Sequence, residues 1–120
     1  MRKVKIKKSA LPASVIYVKY CDNFFSKFLG LMFSKKIEPD EGILIVENNE
    51  SRIATSIHMM FMNYDIAVLW LDRQMVIVDK VLARKWCPFY ISKVAAQYVV
   101  ELHSSKFSEY SIGEQLIISD

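Results

Sequence analysis

Ile66-Ala67-Val68-Leu69-Trp70-Leu71-Asp72-Arg73-Gln74-Met75-Val76-Ile77-Val78-Asp79-Lys80-Val81-Leu82 is the stretch that decides how this chain folds. Two apolar runs rich in β-branched side chains, Ile66 to Leu71 and Met75 to Leu82, are separated by Asp72-Arg73-Gln74 alone. That spacing is the mark of an antiparallel hairpin, and the apolar density puts it at the centre of a sheet. Outward from it the same grammar repeats. Short runs of Val, Ile, Tyr and Met end in polar or glycine-containing turns, giving further strands at Lys3 to Lys7, Ser14 to Tyr20, Gly42 to Glu47, Ser51 to Met59, Gln97 to Leu102 and Gln115 to Ser119. Two helical stretches interrupt them. Asp22 can cap a helix running to Leu29, in which Phe24, Phe25, Phe28 and Leu29 recur at helical spacing and Gly30 supplies the stop. A second short turn of helix is expected over Ser92 to Ala96. The chain therefore reads as mainly β with one or two short helices.

Composition bounds the rest. At 120 residues, with 52% hydrophobic and 24% charged side chains, the sequence is a single globular domain over 1–120 with enough apolar matter for its own core. The longest uncharged stretch, Ile53 to Tyr64, is too short and too polar to cross a bilayer, and no apolar run follows the basic opening as a secretion signal would require. A cytoplasmic protein with no membrane partner is the expectation. The net charge of +3 is concentrated at one end: Arg2, Lys3, Lys5, Lys7 and Lys8 are five of the sixteen basic residues, leaving 11 basic and 13 acidic side chains from residue 9 onward. A body so near neutrality argues against nucleic acid as a partner, and lysines alternating with Val4 and Ile6 are expected to guard an exposed edge strand over residues 1–8. Cys21 and Cys87 have neither metal-ligand spacing nor a disulfide framework, so two free thiols and no metal or cofactor are expected.

Several ordered blocks resemble a known family. They are Phe28-Leu29-Gly30-Leu31-Met32-Phe33, Pro39-Asp40-Glu41-Gly42-Ile43-Leu44-Ile45, Ile57-His58-Met59-Met60-Phe61-Met62-Asn63 running into Val68-Leu69-Trp70-Leu71-Asp72, Lys85-Trp86-Cys87-Pro88, Val99-Val100-Glu101-Leu102 and Gly113-Glu114. Together they resemble, over residues 24–118, the domain of unknown function 192, also called uncharacterised protein family 0127. The resemblance implies a compact, mostly antiparallel β-sandwich or barrel with one short helix, and no established activity. Three departures stand out: Ala67 occupies a position where the family usually has an acid, with Asp65 two residues earlier; Gln74 or Met75 stands where its hairpin often has glycine; and Glu114 ends its Gly-Asp turn.

Chemistry-bearing residues gather in two places. His58, Asn63 and Asp65 fall within eight residues, and Arg84, Lys85 and Trp86 follow the hairpin's second strand, so these side chains can meet at one end of the sheet around an aromatic wall. The methionines beside His58 could serve a soft metal, but filling gaps in a β core is the simpler use. The chain contains no Gly-x-Ser-x-Gly elbow and no His-Glu-x-x-His pair. The expected function is non-enzymatic binding of a small polar ligand or a partner protein through His58, Asn63, Asp65, Arg84 and Trp86, with no catalytic residues assigned. The alternatives are a hydrolase-like enzyme using His58 with Asp65 or Glu101, and a structural or oligomer-forming domain.

Overall fold

The computed structural model describes residues 2–23, 31–32 and 34–120. The expected helix from Asp22 to Leu29, with its Gly30 stop, falls largely outside them. Among the described residues there are seven strands: β1 (Lys3–Lys8), β2 (Leu11–Cys21), β3 (Glu41–Ser51), β4 (Ile66–Leu71), β5 (Ile77–Ala83), β6 (Ala96–His103) and β7 (Leu116–Ser119), with a 3₁₀ helix over Ser104–Glu109. They form one sheet in the order β5-β4-β6-β3-β2-β1-β7.

The hairpin is β4 and β5, antiparallel from Ile66↔Ala83 to Leu71↔Ile77. Its second strand begins two residues later than expected because the turn is longer: the Asp72 carboxylate accepts from the amides of Gln74 and Val76, and Met75 takes a left-handed φ of 64°. Met75 thus occupies a conformation that favours glycine, at one of the two positions where the resemblance anticipates one. β4 is buried along its whole length, with Ile66, Val68 and Trp70 facing one side and Ala67, Leu69 and Leu71 the other.

Those two faces define two apolar cores. The inner face collects Val4, Ile6, Ile16, Val18, Leu44, Leu69, Val100, Leu102 and Leu116, with Tyr110 beside them. The outer face collects Ile43, Ile45, Ile66, Val68, Trp70 and Val99 beneath Leu31, Ile37, Ile57, Met59 and Met62. The sheet curls around the inner core until its two edges touch. Gly113 N–H donates to Ile77 O, Ile77 N–H to Glu114 O and Leu116 N–H to Met75 O, across a single bridge between Val76 and Gln115. The architecture is thus a curled mixed sheet whose described edges meet at a bridge rather than along a closed ladder.

The mostly antiparallel sheet contains one parallel pair, β2 and β3, from Tyr17↔Glu41 to Cys21↔Ile45. Three expectations are corrected. β1 is not an edge strand; it lies between β2 and β7 and pairs with both. Ser51 to Met59 is not a strand. Thr55 Oγ1 donates to Ser51 O, Ser56 Oγ to Ile53 O, and the Ala54 amide to Ser51 Oγ, so local side-chain bonds wind the backbone into turns instead. Ser92 to Ala96 is not helical either: Ser92 Oγ bonds both the carbonyl and the amide of Val94, closing a tight bend before β6. Among the described residues, no helix is long and apolar enough to cross a membrane.

Candidate functional site

The sheet topology brings four chain segments to one end. Ile66 pairs with both Ala83 and His103, so the start of β4 and the ends of β5 and β6 coincide there, and Gly42↔Leu102 places the start of β3 beside them. Residues just before β3, just before β4, just after β5 and at the end of β6 therefore surround a common cleft of about 410 Å³. Its walls are Lys35, Lys36 and Ile37, then Asn63, Tyr64 and Asp65, then Lys85, and finally His103 and Ser104.

Gly42 permits the close packing at this end. A Cβ at that position would fall inside van der Waals contact with the Glu101 carbonyl oxygen and within 2.6 Å of a Leu102 methyl. Tethers then fix the rim. Asn63 Nδ2 donates to Ser34 O at 2.7 Å, joining the 63–65 segment to the loop before β3. Asp65 Oδ1 accepts from the Lys85 amide at 2.8 Å, and its other oxygen lies 4.0 Å from the Arg84 guanidinium. His103 Nδ1 accepts from the Ser105 amide, capping the 3₁₀ helix and holding the imidazole at the cleft wall.

The cleft is cationic. Lys35, Lys36 and Lys85 face one carboxylate, Asp65, which is already engaged. Lys36 pairs with Glu38 at 3.0 Å, a contact that raises its pKa. Among the described residues, Lys35 and Lys85 have no carboxylate at ion-pair distance. Tyr64 contributes a buried hydroxyl on the side of Ser34. Its pKa is raised first by burial and further by Glu101 and Glu41. Glu101 itself, paired between Ile43 and Val68, is buried on the outer face, and that burial pushes its carboxyl up to about 7.

The expected site residues divide into two groups. Asn63 and Asp65 line the cleft, as does Lys85. His58, Arg84 and Trp86 do not. His58 Nδ1 accepts from the Met60 amide within its own turn. Trp86 is 52% exposed and meets Phe61, 43% exposed, edge-on at 5.3 Å. Both aromatics sit at left-handed φ, 65° and 63°, in facing turns joined by Trp86 N–H to Met59 O and Met59 N–H to Cys87 O. Neither Cys21 nor Cys87 is in a disulfide. Lys35, Lys36, Tyr64, His103 and Ser104 escape a reading of sequence because their proximity depends on which strand ends coincide.

The matched blocks extend across this geometry. The model of the DUF192 family, described as uncharacterised ACR, matches residues 4–118. The chain belongs to the DUF192 family. Among its relatives, a UPF0127 protein of Pyrococcus furiosus is 40% identical over 72% of this chain and 71% of its own length. One from Thermococcus kodakarensis is 43% identical over 70% of this chain, but the match spans 52% of that protein, so the aligned part is about half of the longer relative. Two crystal structures share the DUF192 fold seen here. A protein of Sinorhizobium meliloti, described as a candidate transcription regulator, overlays with a TM-score of 0.83 at 18% identity, covering 97% of this chain and 92% of that one. A protein of unknown function from Novosphingobium aromaticivorans gives 0.75 at 10% identity, covering 96% and 83%. At those identities the likeness is one of fold.

Proposed function

We propose that this DUF192 domain is a non-enzymatic binding module whose cleft takes a small polar ligand bearing a negative charge. The observation that carries this reading is the pair of ammonium groups on Lys35 and Lys85, without carboxylate partners among the described residues, on a cleft that also offers Asn63, His103 and Ser104 as hydrogen-bonding groups. Ile37 and Tyr64 give it an apolar wall, and a few placed polar groups against such a wall are what orients a small ligand. Asp65 acts here as a positioning residue, since its oxygens hold the Lys85 turn. The hydrolase alternative draws less support: Asp65 is committed to that turn and Glu101 lies within the outer core.

Calorimetric titration with small carboxylates and with inorganic phosphate tests the reading. A binder should emerge whose affinity falls at least tenfold in a Lys35→Ala, Lys85→Ala double variant, and changes little in Trp86→Ala. A panel that finds no binder, or a double variant that binds as well as the parent, overturns it.

A further inference from the structure

The outer face of β7, β1 and β2 has a feature that folding does not require. Lys3, Lys5 and Lys7 alternate with the buried Val4 and Ile6 along β1. The register sets Lys3 directly opposite Lys19, Lys5 between Tyr17 and Ser119, and Lys7 beside Ile117. Like charges directly opposed across strands destabilise a sheet. Lysines repay that cost on an edge strand, where they block pairing with another chain. β1 has no open edge, so edge protection does not account for them. Among the described residues, no carboxylate lies at ion-pair distance from Lys3, Lys5, Lys7 or Lys19. Glu41, opposite Tyr17 on β3, marks the margin of this field, and its carboxylate accepts from the Glu38 amide.

We propose that this face binds single-stranded nucleic acid, with the lysines on phosphates and the Tyr17 ring under a base. Alternate residues of a strand stand about 6.8 Å apart, so Lys3, Lys5 and Lys7 form a row whose step is close to that between successive phosphates of an extended strand. Tyr17 is 48% exposed in the middle of the row, where a stacking platform belongs. Beside it a groove of about 100 Å³, walled by Lys3, Lys19, Lys36 and Ile37 with Glu41 at its far side, leaves room for a base or sugar. Lys3, Lys5, Lys7 and Lys19 thus share one face, while residues 9–120 as a whole carry 11 basic and 13 acidic side chains. Backbone contact of this kind is independent of base identity and needs no partner residue from the cleft.

Fluorescence anisotropy of the full chain with a labelled oligothymidylate, over a salt titration, tests this. Four lysine contacts predict that log K falls with log salt at a slope of about −3. Replacing Lys3, Lys5, Lys7 and Lys19 together by Gln should cost more than tenfold in affinity and flatten the slope. These positions are largely exposed, so the melting temperature should not fall. Tyr17→Leu should cost roughly tenfold while leaving the slope unchanged, because stacking releases no counterions. The proposal is overturned if the parent does not bind at low salt or if the quadruple variant binds equally well. Binding to phosphatidylserine vesicles without binding to the oligonucleotide would assign the face to a lipid surface and also overturn it.

Discussion

The two halves of this sheet share one inner core and differ completely on the outside. Over β3, β6, β4 and β5, segments carrying Ile57, Met59 and Met62 lie across the outer face, and the central strand β4 beneath is apolar on both sides. Over β7, β1 and β2 the outward positions are lysines, Tyr17 and Ile117, with the 31–37 segment along one margin and Cys21 buried at the end of β2. Strand sequence follows what covers it: near-continuous apolar runs where both faces are buried, strict alternation where one face meets water. The cover in turn depends on polar side chains bonding backbone, as Thr55 and Ser56 do, because a loop packed on a core must satisfy its own amides and carbonyls.

The sharpest way to break this comparison is at Trp70. It is buried in the outer core, and its indole N–H donates to Thr55 O at 2.8 Å, tying cover to sheet. Trp70→Ala should cost about 3–5 kcal/mol in urea unfolding, whereas Tyr17→Ala on the bare half should stay near 0.5 kcal/mol. Comparable losses at the two sites would erase the distinction between the halves.

A second test concerns Glu101, a carboxylate beneath the cover. Glu101 has its pKa raised by burial to about 7 from an ordinary value of 4.5, with Tyr64 close enough to be raised by it in turn. Below pH 4.5 both folded and unfolded chains hold the proton, and the group contributes nothing. As pH rises from there to about 7 the unfolded chain releases its proton first, so stability falls and then stays low. Glu101→Gln should therefore stabilise the protein by about 2 kcal/mol at pH 8 and hardly at all at pH 4. Chemical denaturation at the two pH values measures the difference. Equal effects at both would show that the carboxyl does not carry the charge penalty.

The smallest effect belongs to the bare half. Lys19→Glu replaces a like-charge pair opposite Lys3 by an attractive one, and should raise stability by roughly 0.5 kcal/mol at low ionic strength, fading in high salt. A loss of stability instead would mean that Lys3 and Lys19 do not face each other as the register implies.

Sequence legibility tracked the same division. β4 is read to the residue, since an apolar run bounded by polar turns has few alternatives, and β1, β3 and β6 emerge within a residue or two except where β3 runs past Glu47 to Ser51. Ser51 to Met59 misled because it is as apolar as a strand, while the serine and threonine bonds that bend it are weak local signals. In the cleft, Asn63, Asp65 and Lys85 were legible through their nearness to the hairpin. His103 and Lys35 were not, because they come from elements whose neighbours are fixed by sheet order. Trp86 and Phe61 were legible as aromatics, but the left-handed turns that expose them leave no mark in composition.

By itself the sequence determined the mainly β class and the central hairpin, because each follows from residue types at short range and their periodicity, and its ordered blocks carried the resemblance to the family. The tertiary structure decided the parallel β2 and β3 pair, the interior place of β1 and the meeting of four chain segments at one cleft. Those depend on which strands lie side by side, and strand order is chosen by burying every apolar face at once, a condition on the whole chain that no short stretch contains.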